Sequence, residues 1–251
     1  MDMNYLIVVG DKFSGFARNE NIVKQSQLDV ELKQRTHQPT SLIAGQGLTR
    51  ETIEEIDRLI ARFPRTQWLE AEGTGLETAP ERLCHKSRAE NRLVSLPTRL
   101  SERHMQMDLL VHNDNELMLD HITGQHIQGM VLIEAARQSF LTVTEQFHAK
   151  KDQQYYFVIN RMDTRFHSFV FPLGATIDYQ IHSLRASKRG TISSAATINF
   201  HQCNDTPATT CEVEFTAYPA EFLAGKEQNL AANMVTRFVS EFAEEGSQLS
   251  A

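Results

Sequence analysis

The stretch DHITGQHIQGMVLIEAARQSF, residues 120–140, constrains the fold more than any other part of the chain. From Gly129 it reads as a helix reaching about His148. Its apolar residues Met130, Val131, Leu132, Ile133, Ala135, Ala136, Phe140, Leu141, Val143 and Phe147 point in almost every direction around a helical wheel. A helix that is apolar all round belongs inside a core. Glu134, Arg137 and Gln138 break this pattern. Glu134 and Arg137 are three residues apart, so they lie side by side on one helix face. A carboxylate and a guanidinium among apolar neighbours are costly unless they are paired and hydrogen-bonded. One reading is a structural ion pair at a dimer seam. The other is a catalytic or ligand-orienting pair near the helix start.

The residues before the helix favour the second reading. Asp120, His121, Thr123, Gln125 and His126 lead into Gly129. Free N–H groups at a helix start carry partial positive charge. Those near Gly129 and Met130 suit a carbonyl oxygen on which negative charge develops, as in acyl chemistry. A histidine, His121 or His126, with Glu134 would supply an acid and a base. Asp120, Gly129, Met130 and Gln138 are the candidate substrate contacts, and Glu134, Arg137, His121 and His126 the candidate catalytic group.

The surrounding segments predict a sheet to wrap that helix. RLVSLPTRL and HMQMDLLVH alternate apolar and polar residues, as half-buried strands do. After the helix come YYFVINRMDTRF, ATIDYQIHSLRAS, GTISSAATINFHQ and TTCEVEFTAYP, divided by the turn signals PLG, KRG and NDTP. The last two strands suggest a hairpin, with Cys203 and Cys211 facing each other across it as a structural thiol pair. A curved antiparallel sheet around one core helix is the hotdog arrangement, an α+β fold. Residues 1–80 read as a small α/β unit of different character. NYLIVVG and SLIAGQG are short strands, a helix follows at about residues 49–63 with Thr49 as N-cap, and TQWLEAE is a third strand. Strand–helix–strand order implies a parallel pair with a crossover. GDKFSG resembles a phosphate loop, but GFARN follows it where Lys and Ser/Thr should stand, so a docking role is the stronger reading. Residues 73–80 read as a linker, residues 81–220 as the hotdog domain, and residues 221–251 as a tail with a helix near residues 229–244.

Bulk properties narrow the function classes. The 251 residues are 41% hydrophobic and 23% charged, ordinary for a globular chain. A net charge of −7 argues against binding duplex nucleic acid, which needs a basic face. No apolar run approaches the roughly 20 residues that span a bilayer, and the start of the chain lacks the basic region of a signal peptide. Three cysteines without metal spacing point to reduced thiols in the cytoplasm.

The run DHITGQHIQGMVLIEAARQ resembles the signature of the A-factor biosynthesis hotdog family, with its Asp-His, His-x-x-Gly-Met and Glu-Ala-x-Arg-Gln elements. CHKSRAENRLVS, residues 84–95, resembles the His-Lys-led strand that opens the same domain. The likeness covers roughly residues 83–218. It implies a hotdog fold and transfer of a β-ketoacyl group from a carrier-protein thioester to a dihydroxyacetone phosphate hydroxyl, in butyrolactone-type signal synthesis. The essential Glu and Arg of the family fall on Glu134 and Arg137. The run is also similar to that of β-hydroxyacyl-carrier-protein dehydratases, but their catalytic His falls on Asp120, one place from His121. Gln128 stands where both families usually have Pro.

These readings converge on an acyltransferase that takes acyl groups from an acyl carrier protein or CoA thioester to a small hydroxylated acceptor. No cofactor and no metal are implied. Thioester hydrolysis or dehydration on the same site is the enzymatic alternative, and a non-catalytic acyl-binding or regulatory protein is the other. One hotdog copy with unpaired sheet edges predicts a homodimer.

Overall fold

The computed structural model describes residues 4–69, 77–120, 123–203 and 206–248. The N-terminal part holds β1 (Asn4–Val9), β2 (Ile22–Lys24), α1 (Leu28–Gln34), β3 (Thr40–Ala44), α2 (Arg50–Ile60) and β4 (Thr66–Trp68). The strands form a parallel sheet in the order β2-β1-β3-β4, and β3 and β4, on either side of the helix α2, are the expected parallel pair. Thr49 caps α2 as expected, accepting a hydrogen bond from the Thr52 N–H at 3.1 Å. β2 and α1 carry too little periodicity to be read from sequence; both are short and lean on the sheet for their stability.

The second part holds α3 (Glu81–Cys84), β5 (Thr98–Ser101), β6 (His104–Asp108), α4 (Gly129–Phe147), β7 (Tyr155–Phe166), β8 (Thr176–Ala186), β9 (Ile192–His201), β10 (Thr209–Pro219) and α5 (Ala220–Gln248). Six strands in the order β5-β6-β8-β9-β10-β7, antiparallel throughout, wrap α4. This is the hotdog arrangement. RLVSL contributes only the isolated bridges Thr78–Ser95 and Val94–Leu109 rather than a full strand. The tail helix starts earlier than its sequence pattern suggests, directly after β10, and most of it projects away from the body with Leu230, Met234 and Val235 exposed. No described helix is long and apolar enough to cross a membrane. Half of the expected linker, residues 73–76 of 73–80, lies outside the described residues.

Two sequence expectations need correction. β9 and β10 do form the hairpin, but Cys211 pairs with Ile198 and is buried, whereas Cys203 lies past the end of β9, exposed and at φ +60°. The two thiols therefore do not face each other: the turn is longer than alternation alone implies. The core helix is also not buried all round. Val131, Leu132, Ala135, Ala136, Phe140 and Leu141 are buried, but Met130 is 59% exposed in the first turn and Ile133 is half-buried. The sheet curls around one side of α4 and leaves its start at the surface.

A single core joins the two parts. Val9, Phe13 and Phe16 pack with Val131, Ala135 and Phe140 in one cluster, while Leu6, Val8, Leu28 and Leu42 form a second core under the parallel sheet. The junction is also hydrogen-bonded. Gln46, 5% exposed, donates from Nε2 to the carbonyls of Leu109 (2.9 Å) and Leu173 (3.1 Å) and accepts from the Val111 N–H (2.7 Å). The Gly47 N–H donates to the Val111 carbonyl at 2.8 Å. Gly47 takes φ +90°, and a Cβ on Gly10 would lie 2.7 Å from the Gly47 Cα. Gly10, one of the two glycines that suggested a phosphate loop, thus serves close docking of backbone against backbone.

Candidate functional site

The segment joining α3 to the sheet crosses α4 and meets Glu134. The Arg137 guanidinium binds the Glu134 carboxylate through both oxygens, Nε to Oε2 at 2.8 Å and Nη2 to Oε1 at 2.9 Å. Gln138 Nε2 donates to Glu134 Oε1 at 3.0 Å, and Lys86 Nζ lies 3.1 Å from the same oxygen. Bidentate, charge-assisted geometry of this kind fixes a carboxylate firmly. Burial pushes the Glu134 carboxyl up, but hydrogen bonds from Arg137 and Gln138, the Arg137 charge and Lys86 outweigh it and hold the group below the usual range. Glu134 is therefore a stable anion: a poor proton donor and a weak base, but a strong hydrogen-bond acceptor.

Gln138 sits under this cluster, fully buried. Its Oε1 accepts from the Leu93 N–H at 2.8 Å, and its Nε2 also donates to the Asn91 carbonyl at 2.8 Å. It satisfies backbone groups of the crossing segment that would otherwise be orphaned in the core. Lys86 comes from the CHKSRAENRLVS stretch, and its role is invisible in sequence because it depends on that crossing. Its neighbour His85, in left-handed conformation, pairs instead with Glu145 at 3.1 Å.

The helix start lies on the same helix. Gly129 and Glu134 are five positions apart, about 7.5 Å along the axis at 1.5 Å per residue. Gln128 occupies the N-cap position but makes no side-chain cap. The Val131 and Leu132 N–H groups return to the Gln128 carbonyl, whereas those of Gly129 and Met130 have no acceptor among the described residues. Gln128 Nε2 is buried and likewise without a partner. A Cβ on Gly129 would lie 2.9 Å from the Phe166 ring, so glycine here admits an aromatic close to the helix start.

His126 and Asp120 stand apart from this cluster. His126 hydrogen-bonds Thr123 through Nδ1 at 3.3 Å and packs on Phe169 with centroids 4.4 Å apart; it makes no contact with Glu134. Asp120 is exposed. His121 lies outside the described residues. The structure thus joins Glu134, Arg137 and Gln138, adds Lys86, and leaves His126 at the surface. No cluster of His, Cys, Asp and Glu able to hold a metal exists among the described residues.

A family model described as the A-factor biosynthesis hotdog domain matches residues 70–218. The chain belongs to this family. Its hotdog topology and its Glu134–Arg137–Gln138 helix motif agree with that membership. A search of curated proteins gives no match. Solved structures with distant similarity include a mutant thioesterase from Pseudomonas aeruginosa, 10% identical, covering 50% of this chain and 81% of that one, TM-score 0.37. A conserved protein from the same species is 15% identical over 49% of this chain and 86% of its own, TM-score 0.35. A thioesterase from Haemophilus influenzae is 9% identical over 50% and 78%, TM-score 0.37. The hotdog assignment rests on the family match and on the helix-wrapped sheet itself.

Proposed function

We propose that the protein is a cytoplasmic enzyme that takes a β-ketoacyl or similar acyl group from a CoA or carrier-protein thioester and transfers it to a hydroxyl acceptor such as dihydroxyacetone phosphate. The observation that carries this reading is a fixed, charged Glu134 on the same helix as unpaired N–H donors at Gly129 and Met130. In this scheme those N–H groups hold the thioester oxygen as charge develops. Glu134 accepts a hydrogen bond from the acceptor hydroxyl and orients it, and Arg137 and Lys86 keep it ionised. The hydroxyl oxygen bonds to the carbonyl carbon, the carbon–sulfur bond breaks, and the hydroxyl proton leaves on the departing thiol. His121 or His126 serves the leaving side. The depressed Glu134 pKa favours orientation over proton abstraction.

A homodimer belongs to this reading. β7 ends the sheet as an edge strand with Tyr156, Val158 and Ile159 exposed, a surface that invites pairing with a second copy. The deciding experiment is mass spectrometry of products from mixed acyl thioesters, with and without dihydroxyacetone phosphate. An acylated acceptor supports transfer; free acid alone indicates hydrolysis, and no product defeats the enzymatic reading. One observation favours a second reading. Both Glu134 oxygens are already engaged by protein donors, as expected of a clamp that pins the crossing segment to α4 in a non-catalytic acyl-binding protein.

A further inference from the structure

A crevice of about 760 Å³ opens between the parallel sheet and the hotdog, and neither Glu134 nor Arg137 lines it. Its size falls in the range of roughly 300–1,000 Å³ typical of small-molecule sites, which favour such junctions. It also lies beyond the carboxyl end of β3, where ligands bind in open α/β sheets, and Ala44, Gly45 and Gln46 form part of its wall.

Three donors from three separate segments border it: Arg50, Arg92 and His112. Arg50 is 78% exposed and is tied only loosely, to Glu54 at 3.4 Å. Arg92 donates from Nε to the Lys86 carbonyl at 3.1 Å and from Nη2 to the Ser87 carbonyl at 3.2 Å. Its Nη1 has no partner among the described residues, while Nη2 also makes a long ion pair with Glu81 Oε2 at 3.9 Å. The Asp114 N–H donates to His112 Nδ1 at 2.9 Å. In the neutral ring the proton therefore sits on Nε2, which has no acceptor among the described residues. Two carboxylates also border the crevice. Glu51 is held below the usual carboxylate range first by its own N–H and the Thr49 hydroxyl and then by the His112 and Arg50 charges, so it shares the rim with two of the donors; Glu77 is exposed. Leu96 and Leu110 supply apolar wall beside the donors.

We propose that this crevice is a second binding site, for a small organic oxoanion, a phosphate monoester or a carboxylate. Arg50, Arg92 and His112 grip the anionic end, and the body lies against Leu96 and Leu110. The site is separate from the Glu134 cluster but close to it in connection, because Arg92 holds the backbone of Lys86, whose ammonium meets Glu134. This inference goes beyond the acyl-transfer reading and does not depend on it.

The test is calorimetric titration of the full chain with glycerol 3-phosphate, inorganic phosphate and glutarate, with sodium chloride at matched ionic strength as control. Saturable binding of at least one probe beyond the chloride control is expected. A preference for glycerol 3-phosphate identifies a phosphate ester site, and a preference for glutarate a carboxylate site. Losing one charge-assisted hydrogen bond costs about 1.5–3 kcal/mol, so Arg92→Gln should weaken binding about tenfold or more. Arg50→Gln, whose side chain is mostly exposed, should weaken it severalfold without disturbing the fold. Glu134→Gln should bind inorganic phosphate and glutarate, which carry no acceptor hydroxyl, as the parent does. Binding no better than chloride, or equal in parent and Arg50→Gln, overturns the proposal. Loss of binding in Glu134→Gln with none in Arg50→Gln also overturns it, by moving the anion to the Lys86–Arg137 cluster.

Discussion

Glu134→Gln separates a working carboxylate from a clamp. The substitution keeps side-chain size and one oxygen acceptor but removes the charge that Arg137 and Lys86 share. A fully buried pair broken on one side costs about 3–5 kcal/mol, and an exposed pair contributes about 0–1 kcal/mol. Glu134 is 18% exposed while Arg137 and Lys86 are each 30% exposed, so water partly solvates the orphaned cations. The cost therefore falls between the two limits, about 1–3 kcal/mol. For a chain of this size each kcal/mol lowers Tm by about 2–4 °C, so a drop of roughly 2–12 °C is expected at pH 7. The pH dependence gives an internal check. The folded pKa of Glu134 lies below its unfolded value of about 4.3, so its stabilisation is complete above that value and is lost as pH falls through the folded pKa. The Tm gap between parent and variant should therefore close in acid. Turnover per folded molecule should fall at least about tenfold if the charge orients the acceptor hydroxyl, and by about 10²–10⁴ if it also moves the proton. Thermal melts and product analysis on the same samples decide the matter. A lowered Tm with unchanged turnover per folded molecule assigns Glu134 to the clamp. A parental Tm together with parental turnover refutes the whole account of the cluster.

Gln138→Leu removes the side chain that satisfies the Leu93 N–H and the Asn91 carbonyl. At about 1–3 kcal/mol per orphaned buried group, a loss of roughly 2–6 kcal/mol in urea denaturation is expected, and a loss below about 1 kcal/mol would contradict it. Gly47→Ala places a Cβ at φ +90°, against the Gly10 backbone, and should lower Tm by several degrees; a neutral result would mean the two parts can separate without cost. Removing residues 1–75 tests the division of the chain. Because Val9, Phe13 and Phe16 sit in the hotdog core, the truncated protein should melt well below the parent, and an equal Tm would make residues 81–220 an independent domain. Sedimentation at micromolar concentration should give twice the chain mass of 28.6 kDa, and a clean monomer would dismiss pairing through β7.

Local rules made much of this protein legible in its sequence. The apolar run from Gly129 specified α4 and its place against the core, since burial demands apolar side chains, but not that its first turn stays at the surface. Strand-like runs set off by turn signals specified the long strands β7 to β10. Thr49 announced the start of α2 through its cap. The three-residue spacing placed Glu134 beside Arg137, a consequence of helix geometry alone. Contacts between segments far apart in the chain left no such trace. Lys86 reaches Glu134 only because the segment after α3 crosses α4, and Gln138 binds Leu93 and Asn91 for the same reason. The separation of His126 from Glu134 likewise reflects how the loop before α4 folds, not any spacing along it. Gly10 looked like part of a nucleotide loop, and tertiary packing set it against Gly47 at the joint between two sheets that Gln46 also ties. Periodicity and capping act within a few residues of the chain, so sequence determines them directly. Which charges meet, and which stay exposed, depends on the path of the whole backbone, and only the tertiary structure decides it.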